Sequence, residues 1–550
     1  MDKLLQNKST LGALVLILAL SFYLYTLSPS LTWGDGTRLQ SEAISGESIV
    51  LAEMSPQEFS PDPYPFSKVG VTAWDHPLYI VLGYMLVAAL PNVDSLWLVN
   101  LISAVFGAGT VALIFHLTLR YTNSIVPSLY AACALMVSHT FWWHSSTPEV
   151  YTLFTFLLLS SLTFFNRYER NHNLTDLILS ALFFGLSASN HILAFLALPA
   201  LGIYFLLSKR SFAALELNLQ KLSLASAAFL AGFALYLVQF ARTLKNFSAG
   251  ELIGPALGSN FLSGLGTLSP IVIGGSLLEY ILFLALQFGP IGIVLGVAGF
   301  RRAMRSDAPS VRKIAACFIV YALFGIFYRV MDQFAFFLTS YVFFAALMGI
   351  GLNHFFSTLR EKARIILTVS LLLTILLTPP LYRILPSLAK HLGVDDATIS
   401  IPQVGIGVRN GLVYYLDPNK RGDYLAYQFG HETLASLPPN AVVLAEWYTD
   451  PDEYFILRHF NRVEKLRPDV TVEGWITIPI ASFDSQTAVN LIQESISAQR
   501  PVYLASLSER FYAASKLLKE YCIVPENNLY RLYPNSENDL PCLDIDSVTE

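Results

Sequence analysis

Eleven apolar stretches, each near the length of a membrane-crossing helix, set the pattern of the chain: 11–30, 97–119, 125–143, 149–166, 174–190, 191–208, 222–241, 271–300, 312–330, 333–356 and 365–384. Several windows of roughly 20 residues carry no charge, which is what a helix crossing a hydrocarbon core requires. The pattern predicts a polytopic α-helical membrane protein. The 174–208 run divides at SASNH, where small and polar residues precede a histidine. The 271–300 run carries Gly289-Pro290 near its middle, so a kinked or broken helix is expected there. The segment 77–90 is apolar but short, and reads as a helix on the exterior surface or dipping back in. Lys3 and Lys8 precede the first run as in a signal peptide, but the run extends to about Tyr25 without a small-residue cleavage site and reads as an uncleaved first span.

After Leu385 charges return and the periodicity alternates. Helices are expected at 422–436, 451–460, 487–499 and 507–521, and strands at 442–446, 470–473, 501–506 and 528–533. Such alternation predicts a parallel α/β sheet. The chain therefore divides into a membrane part, 1–384, with a first exterior loop at 31–96, and a soluble α/β part, 385–550. No Gly-rich phosphate loop joins a strand to a helix, so a nucleotide cofactor is not expected.

The composition strengthens this class: 54% of residues are apolar and only 14% charged, against about 25% charged in soluble domains. The net charge of −5 is dispersed and no basic run suggests nucleic acid. With the N-terminus in the cytoplasm, sixteen Lys and Arg residues fall in cytoplasmic turns against six outside, the bias expected of retained positive charge. An odd number of spans then places the C-terminal part outside. Cys133 and Cys317 lie in apolar runs as core thiols, while Cys522 and Cys542 fall where an exterior location permits a disulfide, which spacing alone does not establish. Asn246 opens a glycosylation sequon on the same side.

Under this topology the unusual polar residues gather on the exterior face. The first loop supplies Asp35, Arg38, Glu42, Asp75 and His76; later turns supply His144, Thr147 and Glu149, then Asn190 and His191, then Arg329, Asp332 and Gln333. Ionisable groups at a membrane boundary mark function by default. Each also has a structural reading: Asp35 as a turn residue, His76 as a cap before Pro77, Glu149 at a helix N-terminus, Asn190 and His191 as packing groups, Arg329 paired with Asp332. As a set they suit a lipid-linked phosphate donor. A prenyl chain would lie between spans, a guanidinium would hold the phosphate, and a carboxylate would act as general base. Asp35 with Glu149 would also suit a divalent cation, although two carboxylates do not fix one. Trp33, Trp74, Tyr79, Trp142 and Trp143 suit sugar faces or an interfacial aromatic belt equally well.

WGDGTRLQSEA, HPLYIVLGYML, VNLISAVFGAGTVALIF, FWWHSSTPEVYTLFTF, GLSASNHILAFLALPA and DQFAFFLTSYVFFAALMGIGL occur in the order found in a known group. The chain resembles the transmembrane protein O-mannosyltransferase-like family of C-type (GT-C) glycosyltransferases over most of its membrane part, and LPPNAVVLAEWYTDPDEYFILRHFNRVEKLRPDV resembles the segment after that family's last span. The resemblance implies a GT-C bundle of about eleven spans and hexosyl transfer, mannosyl in the family's vertebrate member, from a polyprenyl-phosphate donor to a protein or glycan hydroxyl. It also implies Asp35 as the catalytic first-loop carboxylate, with Glu149 in the Glu-Val-Tyr element, His76 in the His-Pro element and His191 in the Asn-His element. Arg38, Asn190, Arg329 and Asp332 complete the expected substrate-binding set, Arg329 as phosphate clamp. Two departures stand out: the family's His-Pro-Pro-Gly is here His76-Pro77-Leu78-Tyr79, and the loop between Glu42 and Trp74 is longer than usual. The rival reading is a transporter or flippase, for which internal repeats and midplane polar residues are expected. Neither is present in the pattern.

Overall fold

The computed structural model describes residues 8–46, 76–208, 212–244, 269–306, 308–328, 333–396, 398, 404, 406–445, 452–474, 485–534 and 540–547. Helices account for most of the described residues up to His391: α1 (Lys8–Thr26), α2 (Asp35–Ser45), α3 (Pro77–Ala89), α4 (Ser95–Thr122), α5 (Ile125–Met136), α6 (His139–Ser146), α7 (Tyr151–Asn171) and α8 (Leu174–Asn190). There follow α9 (Ala197–Ser208), α10 (Leu219–Thr243), α11 (Pro270–Arg305), α12 (Pro309–Phe327), α13 (Leu338–Thr358) and α14 (Glu361–His391). Among the described residues seven helices are long and apolar enough to cross a membrane, and eight when the bent pair α5–α6 counts as one. The protein is a multi-pass helical membrane protein.

Helix α13 lies at the centre, buried from Leu338 to Leu352. Glycines let its neighbours approach: a methyl group at Gly351 would overlap the carbonyl oxygen of Leu295 and come within 2.9 Å of the Gly299 nitrogen, so α11 and α13 cross backbone to backbone. Gly185 and Gly232 do the same for α8 and α10, where a Cβ at Gly185 would lie 3.0 Å from the Phe233 nitrogen. Helix α14 is the opposite case. Ile365, Ile366, Val369, Leu372, Leu373, Leu376 and Leu377 stand exposed along it, as suits a helix whose outer face meets lipid.

Two sequence expectations are corrected here and one is met. The run 125–143 is not one straight helix: it bends by 61° between Met136 and His139, where Ser138 leaves the helix in an extended conformation and its Oγ donates to the Leu135 carbonyl. The last long helix does not stop near 384 but continues to His391 through Pro379, Pro380 and Pro386, so the first residues assigned to the C-terminal part extend α14. At Gly289 (φ 64°, ψ 175°) α11 breaks as expected.

The C-terminal part contains α15 (Gly411–Leu416), α16 (Leu425–Ser436), β1 (Val442–Ala445), α17 (Asp452–Arg458), β2 (Thr471–Gly474), α18 (Ser485–Ser497), β3 (Val502–Leu504), α19 (Glu509–Tyr512), α20 (Ala514–Glu520), β4 (Tyr521–Glu526) and β5 (Leu529–Pro534). The five strands form one sheet in the order β2-β1-β3-β5-β4. It is mixed rather than all parallel: β1 pairs parallel with β2 and β3, while β5 runs antiparallel to β3 and β4. The helix expected through 521 ends at Glu520, and the next six residues form β4, closed onto β5 by Asn527 and Asn528, both at positive φ (55° and 65°). A disulfide joins Cys522 to Cys542.

One face of this sheet shares a core with the bundle. Leu31, Trp33, Leu96 and Trp143 pack with Phe429, Tyr454, Phe455 and Phe460. Three hydrogen bonds reinforce that seam: Lys420 N to Thr26 O at 3.0 Å, Trp143 Nε1 to Tyr414 O at 3.2 Å, and Tyr414 OH to Trp33 O at 3.3 Å. The C-terminal part therefore rests on the end of the bundle that carries α2 and α6.

Candidate functional site

Helix α2 begins where the sequence demands it. Gly34 takes φ 74°, a conformation that suits glycine, and Asp35 enters the first turn, where a carboxylate meets the unpaired backbone N–H groups. Asp35, Arg38 and Glu42 then share one helix face. Arg38 Nε lies 3.5 Å from Asp35 Oδ1 and its Nη1 lies 3.5 Å from Glu42 Oε2. The three differ in surroundings: Arg38 is 3% exposed, Glu42 is fully buried, and the Asp35 side chain is 60% exposed. The carboxylate is thus held at its base by a buried guanidinium and presented to the open side.

The loop before α2 is fixed by polar groups from inside the bundle. Gln40 Nε2 donates to Ser30 O at 3.1 Å and to Asn100 Oδ1 at 2.8 Å, while Asn100 Nδ2 donates to Ser28 O at 2.9 Å. On the other side α2 presses on the second exterior turn: a Cβ at Gly36 would meet Pro148 Cγ at 3.0 Å. Glu149 follows immediately, half-buried, its backbone N–H donating to Ser103 Oγ at 2.9 Å.

His76 caps α3, with Pro77 at the first helical position, and its Nδ1–H donates to Asn190 O at 2.9 Å. Burial, and secondarily the charge of Arg38, pushes its pKa down to about 3, so it is neutral at physiological pH. Its Nε2 is left as an acceptor. The ring centroid of His191 lies 5.0 Å away. His191 Nδ1 accepts from Leu193 N at 3.2 Å, which leaves its proton on Nε2 as a donor. Tyr151 and Phe154 flank that ring at 5.4 and 5.6 Å. Asn190 Nδ2 donates to Val150 O at 3.0 Å, while its buried Oδ1 has no hydrogen-bond partner among the described residues.

Ion pairing, hydrogen bonds and ring contacts, with the charge of Arg38 acting on His76, thus join Asp35, Arg38, His76, His191, Asn190 and Val150-Glu149 from four segments far apart in sequence. Residues 75–214, which hold most of them, match the family model described as the Protein O-mannosyl-transferase TMEM260 N-terminal domain. No curated protein sequence matches the chain. Among solved structures, ArnT from Cupriavidus metallidurans bound to undecaprenyl phosphate superposes with a TM-score of 0.55 at 12% identity, covering 96% of this chain and 98% of ArnT. The oligosaccharyltransferase AglB from Archaeoglobus fulgidus, in complex with an inhibitory peptide and a dolichol-phosphate, gives 0.52 at 12% identity, covering 97% of this chain and 75% of AglB. The chain has the GT-C glycosyltransferase fold.

Within this GT-C fold the expected residues divide. Asp35, Arg38, His76, Glu149, Asn190 and His191 come together as described, whereas Arg329, Asp332 and Asp75 lie outside the described residues, as does Asn246. His144 belongs to packing: its Nδ1–H donates to Thr140 O at 2.7 Å and its ring stands edge-on to Tyr151 at 5.2 Å. Sequence reasoning passed over Gln40, Asn100 and Ser103. Asn100 and Ser103 carried a signal, being polar positions within an apolar run. Among the described residues no three His, Cys, Asp or Glu side chains are grouped to hold a metal ion.

Proposed function

We propose that the chain is a glycosyltransferase of this fold, moving a hexose, mannose by family resemblance, from a polyprenyl-phosphate donor to a hydroxyl of a protein or glycan at the exterior face. The observation that carries the proposal is the exposed Asp35 carboxylate, held 3.5 Å from the buried Arg38, on a helix that abuts Pro148-Glu149. In this reading Asp35 takes the proton of the acceptor hydroxyl as its oxygen bonds to the anomeric carbon. The bond from that carbon to the phosphate oxygen breaks, and polyprenyl phosphate leaves with the electron pair. Arg329 would meet the phosphate charge with Asp332 beside it, both from sequence position alone. Glu149, His76, Asn190 and His191 would orient the acceptor, the two histidines offering one acceptor and one donor nitrogen.

The partners follow the solved neighbours, which hold undecaprenyl phosphate in one case and dolichol-phosphate with a peptide in the other. Eleven spans, a cytoplasmic N-terminus and an exterior C-terminal part complete the proposal. The basic-residue bias supports that orientation, and so does the Cys522–Cys542 disulfide, a bond kept in oxidising compartments. A divalent ion shared by Asp35 and Glu149 would need further oxygen ligands.

The test is transfer from a radiolabelled polyprenyl-phosphate mannose by the purified full chain in lipid nanodiscs, comparing wild type with Asp35→Asn. Loss of a general base removes about 10²- to 10⁴-fold of rate, with thermal unfolding little changed because Asp35 is 60% exposed and Glu42 remains beside Arg38. Full activity in the variant would remove Asp35 from its role.

A further inference from the structure

A buried histidine of the C-terminal part reaches the helix that carries Asp35 and Arg38. His459 follows α17 at the start of a single π-helical turn, His459–Val463, and its Nδ1 lies 2.9 Å from Ser41 Oγ, 418 residues earlier in the chain. Ser41 stands on α2, three residues after Arg38 and directly before Glu42. The direction of the bond follows from the remaining partner: Ser41 Oγ–H is used on the Thr37 carbonyl at 2.8 Å, so the histidine must donate from Nδ1. Its Nε2 lies 3.4 Å from Glu464 Oε1, a contact that becomes an ion pair only with a proton on both ring nitrogens. The other end of the first loop is gripped by the same part, with Trp33 against Phe429 at a centroid distance of 5.7 Å and the Trp33 carbonyl accepting from Tyr414 OH.

We infer that His459 is a positioning residue of the site: by donating to Ser41 it seats α2, and with it Asp35 and Arg38, on the C-terminal part. The inference rests on the site proposed above and gives the C-terminal part a role in building it. A helix of three turns has little stability of its own, so its orientation is set by what it docks against. The seat has two anchors, one before Asp35 and one after Arg38. The aromatic contact at Trp33 supplies area, and the His459–Ser41 bond supplies the angular constraint.

Two replacements separate the ring's nitrogens. Asparagine places its amide nitrogen near the position of Nδ1 and keeps a donor for Ser41; glutamine reaches toward the position of Nε2 and loses it. The measurement is amide hydrogen exchange of residues 35–46 in the full-length protein in nanodiscs, with residues 151–171 as internal reference. His459→Gln is expected to speed exchange of 35–46 about five- to tenfold, the loss of one buried hydrogen bond. His459→Asn stays within about twofold of wild type on the same basis. Ser41→Ala approaches the bond from the other side and, losing the Thr37 bond as well, should speed exchange at least as much as His459→Gln, the double variant being no faster than Ser41→Ala. Equal loss in His459→Asn and His459→Gln, equal acceleration across 151–171, or no acceleration in any variant would overturn the inference. The exchange pattern needs no substrate, so a protein that shows it but moves no sugar sinks the transferase reading and leaves the seat.

Discussion

Gly36 is the position where a single methyl group tests the site with the least disturbance to the fold. In the first turn of α2, Ala would favour the helix over Gly by up to about 1 kcal/mol. Against this, the added Cβ would overlap Thr32 Oγ1 and stand 3.0 Å from Pro148 Cγ. The two neighbours differ in how they yield. Thr32 Oγ1 is buried with no hydrogen-bond partner among the described residues, so its rotation forfeits no bond. Pro148 cannot rotate away, because its ring is part of the backbone, so α2 must retreat from it by a few tenths of an ångström. Overpacking of this kind costs about 1–3 kcal/mol, much of it offset by the helix gain, and the net effect on stability is expected near 1 kcal/mol by the same reasoning. The effect on transfer should be larger. Displacing a catalytic group by about 1 Å costs on the order of 100-fold, and a shift of a few tenths moves Asp35 part of that way, for an expected loss of about tenfold. The assay is transfer from labelled polyprenyl-phosphate sugar beside thermal unfolding, for Gly36→Ala and Gly36→Leu. Wild-type transfer in both variants would refute the claim that the contact between α2 and Pro148 sets the site. Equal losses of transfer and stability would reduce it to folding.

Three further outcomes are expected. His76 has a depressed pKa, about 3 against 6.5 in the unfolded chain, so its contribution is fully present above pH 6.5 and is lost as pH falls toward 3. At pH 5 the loss is about 2 kcal/mol, and the difference between wild type and His76→Gln in unfolding across pH 7 to 5 measures it. Gly351→Val should lower thermal unfolding markedly by forcing α11 and α13 apart, by about 1–3 kcal/mol or more, whereas Gly274→Ala, with nothing within 4 Å of the added Cβ, should leave it unchanged. Cys522→Ser should release 540–547 from β4 and speed its amide exchange, while sugar transfer stays at the wild-type level because the bridge ties that segment to the sheet's edge strand, which is not part of the seat of α2.

Much of the bundle was legible because burial in lipid leaves one kind of mark. Long apolar runs without charge became helices, the SASNH break fell where α8 ends at Asn190, and Gly289-Pro290 produced the predicted interruption. What escaped was geometry without a compositional mark. The 61° turn at Ser138 has no Gly or Pro nearer than Pro127 and Pro148, and serine bends a helix when its hydroxyl bonds a carbonyl one turn back, here that of Leu135. The prolines of α14 misled in the other direction. A proline ends a helix in water because it frees carbonyls and crowds the preceding turn, but α14 passes through three of them on a helix that is mostly exposed along its apolar face. Strand β4 was hidden because YCIVPE is short and carries a proline, which the sheet tolerates at its edge.

The site divides along the same line. Asp35, His76, Glu149, Asn190 and His191 could be picked out one by one, since each is a polar residue where the membrane boundary disfavours it. Their joining could not be read, because it depends on backbone groups: His76 reaches the carbonyl of Asn190, Asn190 the carbonyl of Val150, and Glu149 the hydroxyl of Ser103. Any residue supplies a carbonyl, so no pattern of side chains announces these bonds. His459 is the extreme case. Nothing in HFNRV distinguishes a histidine that seats a helix 418 residues away from one on a soluble surface. The two parts of the chain are therefore coupled where the sequence seemed to separate them: the helix that carries the proposed base has one side on Pro148 of the bundle and the other on His459 of the C-terminal part. A change on either side should be felt at Asp35 before it is felt in the fold.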